Sequence, residues 1–163
     1  MSVGADERGA GPRVLVIGLG NLLAQDEGIG PHAIRRLLDR GMPEGAAAID
    51  AGTDLLAVAA DIEQAGRVIL VDAIQAGGEP GTLYRWTLDE LLDRAARAAS
   101  GLSGHQLTLV DSLRLARATL ARLPPTVILG IEPAAVEFAT ELTPTVGRAL
   151  EALVDAIVAE VAL

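Results

Sequence analysis

Three stretches constrain the architecture of this 163-residue chain more tightly than anything else in it: residues 13–19 (RVLVIGL), 67–74 (RVILVDAI) and 126–131 (TVILGI). Each is short, rich in β-branched residues and apolar along its length, the pattern of a strand covered on both faces. Such strands run parallel and need helical crossovers between them. The intervening segments supply these. A helix is expected over 31–40, with Pro31 at the favoured first position, Gly41 as the stop and Pro43 beyond. Others are expected over 54–64, capped by Thr53 and closed by Gly66, and over 88–99, where Thr87 and Glu90 have capping-box spacing. Ser103 and Gln106 form a second such box ahead of a helix to about Arg122, and Pro144 opens a C-terminal helix. "AAAID" (46–50) reads as a weaker strand, and "TLYRWTL" (82–88) alternates apolar and polar residues as an edge strand does. The fold class is therefore α/β: three layers, a mostly parallel sheet between helices, and one antiparallel edge strand. Residues 1–12 read as a flexible tail and 13–163 as one domain.

The totals exclude several function classes. A net charge of −9 argues against nucleic acid, whose backbone is held by excess Lys and Arg. The densest basic cluster, Arg35, Arg36 and Arg40, reads as a solvated helix face. Absence of cysteine removes disulfides, thiolate catalysis and zinc–thiolate motifs. Asp, Glu or Arg interrupts every apolar run, so no membrane span is expected. The expectation is a cytoplasmic monomer.

In parallel α/β sheets, function gathers in the loops leaving the carboxyl ends of the strands. The first of these, "GLGNLLAQDEGIG" (18–30), opens like a dinucleotide-binding turn, but Leu23 stands where the third glycine belongs. Asp26 and Glu27 would repel a phosphate. Four glycines in thirteen residues indicate a backbone approached very closely. On residues alone, Glu27 reads either as a carboxylate near the positive end of a helix or as a ligand for a cation. Asp72, at the carboxyl end of a central strand, is either an Asx-turn cap or a functional carboxylate. His105 falls near the second position of a helix, where the dipole disfavours imidazolium and leaves a neutral ring; on residues alone it reads either as a surface or supporting histidine or as a metal ligand. His32 has less to recommend it. Oxygen and nitrogen donors without sulfur suit a borderline divalent ion such as nickel or zinc.

The order of motifs goes further. "GLGNLLAQDEGIG", "DAGT" (50–53), "VDAI" (71–74), "GEPGTL" (78–83), "SGHQLTLVDSL" (103–113) and "GIEP…ELTPTV" (130–146) closely resemble the NiFe-hydrogenase maturation endopeptidases, over residues 13 to about 160. The resemblance implies a twisted five-stranded sheet between helices. It also implies removal of a C-terminal peptide from the hydrogenase large-subunit precursor after nickel insertion, with metal bound at Glu27, Asp72 and His105. The nickel would come with the precursor, serving as recognition signal and as Lewis acid, and no organic cofactor is implied. Asp26 would carry a proton or orient its loop, while Asn21, Asp50 and Thr53 would organise loops or touch substrate. Glu132 departs from the family pattern, in a segment where other polar residues often occur. Two other readings are a nucleotide- or flavin-binding module, favoured only by Asp50 as a ribose-binding acid, and a noncatalytic hydrogenase assembly partner.

Overall fold

The computed structural model describes residues 11–98 and 104–163, with the backbone alone for 104–108. Five strands, β1 (Val14–Gly18), β2 (Ala46–Asp50), β3 (Arg67–Ala73), β4 (Leu83–Thr87) and β5 (Thr126–Ile131), form one sheet in the order β2-β1-β3-β5-β4. All neighbours are parallel except β4, which runs antiparallel to β5 at the edge. The expected fold class is the observed one. Among the described residues, five α-helices flank the sheet: α1 (Ile29–Arg40), α2 (Ala59–Gln64), α3 (Leu88–Arg97), α4 (Gly104–Thr119) and α5 (Pro144–Val161). None among the described residues is long and apolar enough to cross a membrane.

The continuous apolar runs feed two cores at once. Val14, Val16, Ile69 and Val71 pack with Ile34 and Leu37 of α1 and Leu153 and Ile157 of α5. Their alternate neighbours Leu15, Ile17, Val68 and Leu70 pack on the opposite face with Ile62, Leu91 and Leu113, from α2, α3 and α4. Burial on both faces favours apolar residues at successive positions of these strands, which explains why alternation is missing there. β4 alternates exposed and half-covered residues, so its pattern stayed readable.

Helix starts required correction. α1 begins at Ile29, with Pro31 third rather than first, because a 3-10 turn over Gln25–Gly28 runs directly into it. Proline is tolerated there, since first-turn amides have no intrahelical acceptor. Asp54, not Thr53, caps the next segment: its carboxylate accepts from Leu56 N, and a 3-10 turn over Leu55–Val58 precedes α2. The Thr87–Glu90 capping box is formed in both directions. Ser103 lies outside the described residues, as do residues 1–10 of the expected tail; the Pro12 carbonyl accepts from Gly66 N. α4 ends at Thr119, three residues short of the expected end.

Two charge networks pin α5. On the outer face Arg40 of α1 pairs with Asp155 and Glu151, each at 2.7 Å, so part of the basic cluster braces helix against helix. At the other end Glu160, only 4% exposed, accepts from Arg85 at 2.7 and 3.0 Å and from Arg67 at 2.8 Å. Arg85, then Arg67, hold its carboxyl below the ordinary range. A depressed carboxyl stabilises the fold above the unfolded-state value of about 4.3, and that contribution fades as pH falls through the folded value. Glu160→Gln should therefore lose stability at neutral pH, and its urea midpoint should converge on wild type as pH falls below about 4.3. A pH-independent gap between the two would show that the charge plays no part.

Candidate active site at the sheet switch point

From β1 the chain crosses by α1 to β2 on one side, then returns past β1 to β3 on the other. The loops leaving β1 and β3 consequently diverge, opening a crevice at the carboxyl ends of adjacent strands. Glu27 stands in the first loop and Asp72 at the end of β3.

The glycines shape the first loop through close approach. A Cβ on Gly20, whose φ is +140°, would sit 1.8 Å from the carbonyl oxygen of Glu27. One on Gly30 would meet the Leu19 and Val71 carbonyls at 2.1 and 2.5 Å. Side chains at either position would push the Glu27 turn, or all of α1, away from the sheet. The turn opens at Gln25, the only non-glycine residue with positive φ among the described residues. Such a conformation persists only where its surroundings over-determine it.

Asp26 provides that determination. It is fully buried, and its carboxylate accepts from Ala134 N (2.8 Å), Ala135 N (3.0 Å), Thr143 N (2.8 Å) and the Thr143 hydroxyl (2.8 Å). A parallel bridge joins Ala24 to Ala139, with Gln25 N donating to the Ala139 carbonyl and Ala139 N to that of Leu23. These contacts clasp the loop after β1 to the segment between β5 and α5. Thus adjacent carboxylates take opposite directions: Asp26 inward to the clasp, Glu27 to a half-buried position on the crevice.

Asp72 is 2% exposed, and its Oδ1 accepts from Ala73 N at 2.8 Å. Together with Glu27 it lines a cavity of about 90 Å³, whose wall also includes Asn21, Thr53, Leu109 and Ser112. Asn21 Oδ1 accepts from Leu23 N at 2.9 Å, holding the loop's first turn. Asp50 is exposed and caps its own turn through Gly52 N at 2.9 Å; it is not among the residues lining this cavity. His32 Nε2 lies 3.3 Å from the Thr140 carbonyl, outside the cavity wall.

His105 is the second residue of α4, one turn before Leu109 and two before Ser112, a spacing that places all three positions along one helix face. Its side chain lies outside the described residues. Among those described, no three His, Cys, Asp or Glu side chains form a group able to hold a metal ion. A larger cleft, about 900 Å³, adjoins the small cavity through their shared Leu109 and is lined by Gln75, Trp86, Asp93 and Arg94. Arg94 stacks over the Trp86 ring at 4.5 Å. Glu132, 7% exposed, shapes the loop beside this cleft by accepting from Ala76 N and the Tyr84 hydroxyl, both at 2.8 Å. Burial first, and then that bond to Glu132, raise the Tyr84 hydroxyl above its ordinary range.

A family model described as hydrogenase maturation protease matches residues 31–160. The chain belongs to the hydrogenase maturation protease family. The hydrogenase 2 maturation protease of Escherichia coli (strain K12) is 31% identical over 149 residues, covering 90% of this chain and 89% of that protein. The hydrogenase expression/formation protein HupM of Azotobacter chroococcum mcd 1 is 35% identical over 130 residues, covering 79% of this chain but 61% of that one. This chain thus spans about three fifths of the length of HupM and of its Azotobacter vinelandii counterpart HoxM. Among solved structures, the hydrogenase maturating endopeptidase HybD from E. coli superposes with a TM-score of 0.76, at 31% identity over 91% of both chains.

Within this family member, Ser112 and Leu109 of the cavity wall are what the sequence reading missed. The available signal was their spacing from His105 along α4, at four and seven residues.

Proposed function

We propose that the chain is an endopeptidase removing the C-terminal extension of a NiFe-hydrogenase large-subunit precursor once nickel has been inserted. The observation carrying this reading is that Glu27, from the loop after β1, and Asp72, near the end of β3, line one small cavity together with Leu109 and Ser112 of α4, positions that share a helix face with His105. Two carboxylates and an imidazole are a suitable oxygen and nitrogen donor set for nickel, a borderline ion. The nickel arrives as part of the substrate and is the recognition signal. It polarises the scissile carbonyl or activates the attacking water. Water adds to the carbonyl carbon, a site carboxylate takes its proton, and the departing amide nitrogen is protonated in turn. Ser112 lines the cavity from within a helix rather than on a strand-to-helix turn, so it lacks the setting of a nucleophile.

The cavity admits a reacting group, while the adjoining cleft gives an extended segment of the precursor room to lie. A carboxylate-lined crevice disfavours the phosphates of a nucleotide or flavin. Localisation in the cytoplasm and action as a monomer belong to the same proposal, as does the absence of nucleic acid among its partners.

The deciding experiment offers the purified protein both nickel-loaded and nickel-free precursor and follows the released C-terminal peptide by mass spectrometry. Release from the loaded form alone is expected. No release from loaded cognate precursor would leave a noncatalytic assembly partner. Equal release from both would remove nickel as the signal and keep the peptidase.

A further inference from the structure

The segment clasped by Asp26 carries a feature that neither the fold nor the cavity requires. Phe138, the sole phenylalanine of the chain, is 88% exposed. Leu23 and Val136 beside it are 50% and 44% exposed. Leu23 and Phe138 each immediately precede a residue of the Ala24–Ala139 bridge, so the backbone ties hold these apolar side chains at one rim of the crevice. Exposing a phenylalanine forgoes about 2 kcal/mol of burial, and a rigid exposed apolar rim is the mark of an interaction surface.

We propose that Phe138, flanked by Leu23 and Val136, is a preorganised docking prong for the folded body of the precursor, received in an apolar recess bordered by Arg or Lys. The proposal rests on the processing reading above. Two observations select this occupant. First, the cavity of about 90 Å³, roughly three waters' worth of volume, engages a reacting group and the adjoining cleft an extended segment, so neither grips the folded body of the precursor. A stable complex needs about 800 Å² per partner, and the bridge ties Phe138 to Leu23 in the loop that carries Glu27. Second, the charges of the segment have one sign. Residues 132–143 contain no Arg or Lys, while Glu137 and Glu141 are exposed. Face-to-face pairing of two copies would set these carboxylates against each other, whereas a basic border on a partner complements them. Because the backbone ties order the loop before binding, little conformational freedom is lost on contact.

The test compares wild type with Phe138→Ser, Phe138→Leu and Glu137→Arg/Glu141→Arg, using nickel-loaded full-length precursor. Binding is read by surface plasmon resonance and cleavage as separate kcat and KM. Phe138→Ser should weaken binding and raise KM by about tenfold or more, with kcat nearly kept, and Phe138→Leu should restore most of the loss. The double charge reversal should lower the association rate and flatten its salt dependence. Unchanged binding and KM in Phe138→Ser overturn the prong. So does a wild-type dimer, seen by sedimentation, that this substitution dissolves, because the rim would then serve a second copy. Wild-type binding without cleavage, weakened by Phe138→Ser, supports the prong while removing the peptidase reading.

Discussion

Glu27→Gln and Asp72→Asn should each reduce cleavage of nickel-loaded precursor by at least about 10²-fold, the scale set by loss of one preorganised electrostatic partner. Both changes remove negative charge with almost no change in volume. Each replaces a metal-seeking oxygen donor with an amide that binds nickel poorly. Asp72→Asn can still accept from Ala73 N through its amide oxygen, so the fold should be kept. Glu27 is half-buried on the crevice, and the clasp next to it is made by Asp26. His105→Ala should follow the same pattern: no cleavage, with an almost unchanged thermal transition. The informative comparison is thus between peptide release and melting temperature in the same samples. Near-normal release from both acid variants would dismiss the cavity as the reacting site. A large drop in melting temperature with partial release would assign these residues to the scaffold.

The opposite dissociation is expected one residue earlier. Asp26→Ala leaves three backbone amides and one hydroxyl in the loop before α5 without their acceptor. Removing one partner from such a buried, charge-assisted set costs about 3–5 kcal/mol. At roughly 2–4 °C per kcal/mol for a chain of this size, the thermal transition should fall by about 10 °C. Asp26→Asn should not rescue it. Oδ1 accepts from Thr143 N while Oδ2 accepts from two amides and the hydroxyl, so either amide orientation sets an NH₂ against an N–H donor. Differential scanning calorimetry of both variants checks this; an Asp26→Asn transition within a degree or two of wild type would show that the clasp does not need a carboxylate.

This contrast between neighbours also marks where sequence reading ends. Residues 67–74 were readable as a central strand because burial on both faces leaves a continuous apolar run, and Asp72 stands out at its end for the same reason. The alternation of β4 announced the edge. Nothing in the string "AQDEGIG", however, separates Asp26 from Glu27. That distinction depends on a 3-10 turn and on acceptor demand from residues more than 100 positions downstream. Helix starts at Pro31 and Thr53 were misplaced for a related reason: single-turn 3-10 segments lead into both helices, and local propensity does not resolve them. Nothing in the sequence around Glu160 marks it as buried: its partners Arg67 and Arg85 stand on two different strands, far from it along the chain.

The ties from the first loop to residues 134–143 also impose a timetable. β1 and β3 pair across 53 positions, but the Glu27 turn takes its final shape only when residues 134–143, more than 100 positions downstream, arrive. Bringing together segments separated by 117 positions belongs to the slow, late part of folding. On the ribosome, where the N-terminal portion emerges first, the acidic lip of the crevice therefore stays unformed until residues 134–143 have emerged.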